Sequence, residues 1–475
     1  MSWRKGIGIA SGVVLALAGG LFVLDAYDVF DGFPGVVTTE PVPIQPAPFP
    51  DMPGAVPATG TVAAVMEPLS PTASIPPVST VQPLVDALAA DPRMGPSVGI
   101  LVKDELTGEI LGAVNPYASF TPASTQKLLT GIAVLAELDP EARLATRVLQ
   151  DGSRLILEGG GDMLLAAGSG NPDQVDDHAG LGDLAALTAA QVKLSGRTAV
   201  TLEVDDSLFQ DPRIAAAVPA SEQRVFVAPV ASLAVNQARA DDSKSDSAPR
   251  VADPAMRAAE IFAAALAEHG ITVEGRPGRV MGTTTTIPEI ARVESATISE
   301  INEWAMQRSD NTITEVLGRL VANQLGIPAT AAGAVDSVRA VVSRLGVNLA
   351  GAVLVDLSGL GRGSLLTPTQ LVDVVDLAVG GPAYLRELAT GQPIGGLSGT
   401  LATRFTGSEP ATGMVRAKTG SLPGVTALSG TVLTANGRLL LFTILADQTP
   451  GPGQFGARAA MDAFVNQLAA LGSPE

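Results

Sequence analysis

The 475-residue sequence contains no cysteine. That absence excludes disulfides, zinc–thiolate centres, thiol nucleophiles and an N-terminal lipid carried on cysteine. Histidine is nearly missing as well, with only His178 and His269, so a histidine-based metal centre has no ligand spacing to rest on. A Ser-His-Asp hydrolase fares no better. His178 stands in a loop near Asp173, Asp176 and Asp177, and His269 ends a helical pattern, where an imidazole commonly just interacts favourably with the helix dipole. An excess of basic charge is also lacking: 30 Lys and Arg against 48 Asp and Glu leave a net charge of −18. Sequence-independent nucleic-acid binding is thereby excluded, because phosphate contacts need a basic face. No Gly-Lys-Ser/Thr follows Gly159-Gly160-Gly161, so that run reads as a turn and not as a phosphate loop. No cofactor and no metal is expected.

Lysine is scarce in an informative way: the chain has only Lys5, Lys103, Lys127, Lys193, Lys244 and Lys418, and otherwise uses arginine for positive charge. A guanidinium stays protonated, whereas a buried amine beside another cation can be pushed toward its neutral form, so a site that needs a proton acceptor requires lysine.

What the sequence does have is 46% hydrophobic and 16% charged residues, a composition able to bury cores. Arg4 and Lys5 precede an uncharged run from Gly6 to Leu24, after which come Asp25, Asp28 and Asp31. This asymmetry directs the chain beyond Leu24 outward across a membrane. The run is long enough for a transmembrane anchor, and Ala16-Leu17-Ala18 also offers a signal-peptide cleavage site; the anchor is the expectation. From Pro34 to Pro83 the chain is proline-rich and reads as an extended tether, reaching on the order of 100 Å at about 3.1 Å per residue.

Beyond it, Ser97–Lys103 and Glu109–Ala113 read as two strands, and a helix starts at Pro122 and Ser124 and stops at Asp139-Pro140. Residues 151–292 are Gly/Ala/Asp-rich, with short strands at Leu155–Leu157, Val200–Val204 and Val225–Val227 and a polar loop at Asp241–Ser247. One amphipathic helix runs from about Pro254 to His269, followed by a strand at Ile271–Val273. Thr297-x-x-Glu300 is a capping box, and Ala435-Asn436-Gly437 joins two strands of a hairpin. The expectation is an α/β fold of the α+β type: an antiparallel sheet with flanking helices, interrupted by a large inserted domain.

Three short motifs carry chemistry. Ser124-Thr125-Gln126-Lys127 places a hydroxyl and an amine on one face of a helix start, where the amine can activate the hydroxyl. Ser309-Asp310-Asn311 offers a second hydroxyl and a carboxamide at a helix–helix junction. Lys418-Thr419-Gly420 follows a strand at Met414–Ala417; its lysine and threonine can bind a carboxylate, and its glycine allows a substrate backbone to approach. Taken singly, the first is more often a solvated pair and the second a helix cap.

In this order and these contexts the motifs resemble the signature of the serine penicillin-binding protein and β-lactamase superfamily. The domain-sized gap between the first two is similar to that of the low-molecular-mass class C branch, the D-alanyl-D-alanine carboxypeptidase/endopeptidases. Further family-like stretches are Leu157–Asp162, Ala228-Pro229-Val230, His269–Val273 and Asp356–Arg362. The resemblance implies an acylated nucleophile, Ser124, with Lys127 as its general base. It also implies a proton shuttle at Ser309, a substrate-amide contact at Asn311, and a carboxylate site at Lys418 and Thr419 with Gly420 beside them. The backbone N–H groups of Ser124 and Ser421 would form an oxyanion hole, and Arg362 and Leu422 would lie near the acyl-side residue. Gly361 departs from the serine common there, away from the core chemistry.

The implied organisation is an anchor or signal peptide at 1–28, a linker at 29–82, a discontinuous penicillin-binding/peptidase domain at 83–150 and 293–475, and an inserted domain at 151–292. Implied partners are peptidoglycan stem peptides, β-lactams as covalent inhibitors, and the membrane through the N-terminal segment, at an extracytoplasmic place in a bacterial cell envelope. Two alternatives remain: a non-catalytic wall-binding or β-lactam-sensing homologue, and a β-lactamase, for which no placed Glu-x-x-Leu-Asn element is found.

Overall fold

The computed structural model describes residues 72–241, 248–282, 286–451 and 454–472. The expected anchor at 1–28, the linker as far as residue 71 and most of the polar loop Asp241–Ser247 lie outside them. Among the described residues, no helix is long and apolar enough to cross a membrane, and the run Gly6–Leu24 lies outside them too.

The main sheet has five antiparallel strands in the order Val415–Leu422, Val425–Leu433, Leu439–Ala446, Val98–Asp104, Ile110–Val114. Its central strand, Leu439–Ala446, is apolar at all but one position because both faces are covered. Alternation along the strands sends Leu440, Phe442 and Ile444 to one core and Leu441 and Leu445 to another. The first core is closed by the helices Val78–Ala89 and Phe455–Ala469, the second by a group that includes Lys127–Glu137, Asn311–Gln324, Ala331–Arg344 and Pro368–Gly380.

Two boundaries differ from expectation. The helix Val78–Ala89 starts inside the expected linker and contains Pro83. The ring removes one helical N–H, yet Val81 and Val85 are fully buried against the sheet, and that burial outweighs the lost bond. The second correction concerns the insertion. Its mixed sheet runs Glu289–Thr297, Arg143–Asp151, Arg154–Gly159, Ala199–Asp205, Thr272–Val273, with Gly278–Val280 also pairing with Ala199–Asp205. The expected borders after residues 150 and 292 therefore cut through its first two strands. The helices Leu181–Leu194 and Pro254–Glu268 pack on this sheet.

Val225–Val227 is not a strand. Phe226 N–H donates to Glu222 O, Arg224 N–H donates to Val227 O, and Arg224 takes a left-handed φ of 58°, so the segment folds into turns that bring Phe226 to the cleft beside the strand Val415–Leu422.

One buried ion pair ties the hairpin to the first strand: Arg438 donates to both Asp104 oxygens, at 2.5 and 2.6 Å. Arg438→Met is expected to lower unfolding free energy by about 3–5 kcal/mol, because it leaves the Asp104 carboxylate buried without its counter-charge. Urea unfolding of the purified protein measures this, and Asp104→Asn combined with Arg438→Met is expected to recover part of the loss.

Candidate active site

The strand Val415–Leu422 is the outer strand of the main sheet, and three other segments meet it there. The first is a single 3-10 turn, Ala123–Gln126, that runs straight into the helix Lys127–Glu137. Ala123 sits at φ 46°, a left-handed conformation uncommon for a residue with a side chain. The turn is pressed between two neighbours: a Cβ on Gly359 would lie 2.0 Å from Ala123 O, and one on Gly420 2.7 Å from Pro122 O. Gly420 is therefore required by the approach of the turn that carries Ser124, and not, as expected, only by a substrate backbone.

Lys127 is fully buried, and its Nζ reaches Ser124 Oγ at 3.0 Å, Asn311 Oδ1 at 2.7 Å and Ser358 O at 2.7 Å. Burial pushes its amine down to about 8, against the opposing pull of Asp356, Asp310 and Glu315. An amine at that value is a competent base for a hydroxyl 3.0 Å away.

The second segment is the junction between the helices Ile298–Arg308 and Asn311–Gln324. The Thr297–Glu300 capping box starts the first helix, and Ser309 ends it at a left-handed φ of 56°. Asp310 then caps the next helix by accepting from Ile313 N–H. This sharp reversal turns Ser309 toward the motif strand, where Lys418 Nζ donates to its Oγ at 2.7 Å. Lys418 is fully buried, and burial together with the nearby Lys127 holds its amine well below the ordinary lysine range. Asn311 accepts from Lys127 and donates to Phe226 O at 2.9 Å, which leaves one of its two amide hydrogens for a substrate.

The third segment is the loop Asp356–Arg362, folded around two buried carboxylates. Glu315 accepts from Leu357 and Ser358 N–H, both at 3.0 Å. Asp356 accepts from Gly359 N–H at 2.9 Å and from Gly361 N–H at 2.7 Å. This bracing aims Ser358 O at Lys127. Burial and the neighbouring Asp356 push the Glu315 carboxyl up. Neither carboxylate was given a role from sequence, although Asp356 stands in a family-like stretch, because nothing in Ser309–Glu315 marks the helical Glu315 as reaching the Asp356–Arg362 loop.

Ser124, Ser309, Asn311, Thr419, Gly420, Ser421 and Leu422 line one cleft of about 880 Å³. Thr419 Oγ1 donates to Thr400 Oγ1 at 2.9 Å. Leu422 is nearly buried and packs with Leu360 and Val227. Arg362 pairs with Glu222 at 2.5 Å, and it is Glu222, from the inserted segment, that lines the cleft. The insertion thus supplies part of the cleft wall through Glu222 and Phe226, which sequence reading missed because neither stands in a motif. Thr400, Arg404, Gln454 and Arg458 line the cleft beside the motif strand and were missed for the same reason.

Two hydroxyls on one cleft, each backed by a buried amine, set in an α/β fold whose antiparallel sheet carries the second lysine, define a serine hydrolase of the penicillin-binding class. Comparison with solved structures agrees on the fold: penicillin-binding protein 4 of Haemophilus influenzae superposes with a TM-score of 0.69 at 20% identity, over 81% of this chain and 99% of that one. The model of the D-Ala-D-Ala carboxypeptidase 3 (S13) family matches residues 81–248 and 238–469, and the chain belongs to that family. A carboxypeptidase of Mycobacterium tuberculosis is 34% identical over 430 residues, covering 88% of this chain and 89% of the relative. A carboxypeptidase of Mycolicibacterium smegmatis is 34% identical over 484 residues, with 99% and 98% covered. A D-alanyl-D-alanine carboxypeptidase of Actinomadura is 29% identical over 82% of this chain and 85% of its own length.

Proposed function

We propose that the protein is a serine-type D-Ala-D-Ala carboxypeptidase/endopeptidase that hydrolyses peptidoglycan stem peptides through an acyl-Ser124 intermediate and is acylated there by β-lactams. The observation that carries this reading is that Ser124 and Ser309 line one cleft, each bonded to a buried lysine, Lys127 and Lys418. The Lys127 amine takes the Ser124 proton as Oγ attacks the carbonyl carbon between the two D-alanines. Negative charge then grows on the carbonyl oxygen, which the N–H groups of Ser124 and Ser421 receive. As the C–N bond breaks, Ser309, held by Lys418, relays to the departing amine the proton that Lys127 took, which returns Lys127 to its neutral form, and Asn311 holds the acyl-side amide. Thr419 with Lys418 hydrogen-bonds the terminal carboxylate, while Arg362, through Glu222, and Leu422 bound the acyl side. Water then hydrolyses the ester with Lys127 again as base. Arg4, Lys5 and the run Gly6–Leu24 support an extracytoplasmic place in the cell envelope, reached through an anchor or a cleaved signal.

The test pairs two readouts on the purified protein. Incubation with penicillin is expected to add one drug mass, mapped to the peptide bearing Ser124, and incubation with a pentapeptide ending in D-Ala-D-Ala is expected to release D-alanine. Acylation without any D-alanine release overturns the hydrolase reading in favour of a sensor.

A further inference from the structure

The helix Phe455–Ala469 closes one core of the main sheet, and its first turn also reaches the cleft. There Arg458 Nη2 donates to Ser421 Oγ at 2.9 Å, and the guanidinium lies over the Phe455 ring, 5.8 Å from its centre. Its neighbour Arg404 is neutralised by Asp462, with contacts at 3.0 and 2.5 Å. Arg458 has no such partner: among the described residues, no carboxylate forms an ion pair with it. Burial and Arg404 make its charge unfavourable and the attraction of Asp462, already paired with Arg404, offsets only part of this, yet a guanidinium does not give up its proton. A half-buried cation in a substrate cleft without an ion-pair partner of its own is relieved by an anion.

The position of that anion is set by the strand. Thr419 and Ser421 are two residues apart on Val415–Leu422, so their side chains project from the same face. Thr419 stands next to Lys418, which bonds Ser309, the group at the departing amine. From the departing amine outward, the strand presents the Thr419 hydroxyl, the Ser421 hydroxyl and the Arg458 guanidinium. The carboxylate of a leaving amino acid falls on this row. Lys418 supplies little charge to it, because burial and Lys127 hold its amine toward the neutral form.

We propose that Arg458 is a specificity-determining residue: it supplies the positive charge that receives the carboxylate of the leaving residue, beside the hydroxyls of Thr419 and Ser421. The enzyme therefore selects peptides whose leaving residue carries a free carboxylate, and cleaves a cross-link only where the residue that donates the amine bears one. This rests on the hydrolase reading and moves the charge for carboxylate recognition from Lys418 to Arg458.

The experiment compares wild type, Arg458→Gln and Arg458→Lys on a blocked tripeptide ending in D-Ala-D-Ala and on its C-terminal amide. Arg458→Gln is expected to lose about 10- to 100-fold in kcat/KM on the carboxylate and less than about 3-fold on the amide, with Arg458→Lys recovering part of the loss. Equal losses on both peptides, or no loss on the carboxylate, overturn the proposal. A parallel series measures acylation of Ser124 by benzylpenicillin and by its carboxyl methyl ester, followed by intact mass, which needs no turnover. If the wild type releases no D-alanine while Arg458→Gln slows acylation by the acid alone, the hydrolase reading falls and the role of Arg458 stands. If turnover is normal and Arg458→Gln affects acid and ester alike, the role of Arg458 falls and the hydrolase reading stands.

Discussion

Ser124→Ala is expected to abolish covalent labelling by penicillin and to lower kcat/KM for D-alanine release by at least about 10⁴-fold. The size of the effect comes from the site. Removing the hydroxyl leaves Lys127 with its bonds to Asn311 Oδ1 and Ser358 O, so the buried amine keeps two of its three acceptors and the fold has no reason to change. Ser309 does not replace the lost hydroxyl, because its Oγ is held by Lys418 for the departing amine. Thermal unfolding of the variant is expected within a few degrees of wild type, which separates loss of chemistry from loss of structure. A Ser124→Ala protein that still released D-alanine would sink the nucleophile assignment.

The second large effect concerns the base. Lys127→Arg keeps a cation at the position but cannot accept a proton, and acylation by penicillin is expected to fall by about 10³-fold or more. The same assignment fixes the pH dependence of the wild type. Burial lowers the Lys127 amine to about 8, and only the unprotonated amine can take the Ser124 proton. The acylation rate is therefore expected to rise with pH through about 8, and to drop about tenfold per pH unit well below it. Stopped-flow acylation from mildly acidic to mildly alkaline pH reads this limb directly. A rate that is flat across that interval, or that falls as pH rises through about 8, excludes Lys127 as the base. Replacing Lys127 also disturbs packing, so unfolding of Lys127→Arg is measured alongside.

Much of the site was legible in the chain because lysine is so rare. In Ser124–Lys127 the hydroxyl and the amine are three residues apart on one helical turn, a local relation, and the structure places Lys127 Nζ 3.0 Å from Ser124 Oγ. The hairpin at Ala435–Gly437 and the capping box at Thr297–Glu300 were equally local: Gly437 takes the φ of 82° that a tight turn asks for, and the Thr297 and Glu300 side chains cap reciprocally. The borders of the insertion were not legible. Arg143–Asp151 and Glu289–Thr297 are neighbours in one sheet but lie far apart in sequence, and their pairing leaves no mark within either strand. The helix Leu181–Leu194 also escaped, since its alanines and leucines surround it without a sharp stripe. Phe226, Glu222 and Arg458 belong to no motif, and only their packing brings them to the cleft.

The sequence by itself determined which atoms are available for the reaction: a hydroxyl with an amine one turn away, a second hydroxyl before an asparagine, and a lysine on a strand. These are relations of neighbouring residues, set by covalent spacing and backbone periodicity. The tertiary structure decided what those atoms can do. It buried both amines so that each gives up its proton more readily, bent the Asp356–Arg362 loop around Glu315 and Asp356 so that a carbonyl faces Lys127, and left one arginine at the end of the motif strand without an ion pair of its own. Burial and electrostatic environment are sums over segments distant in the chain, and they come into being only when those segments meet.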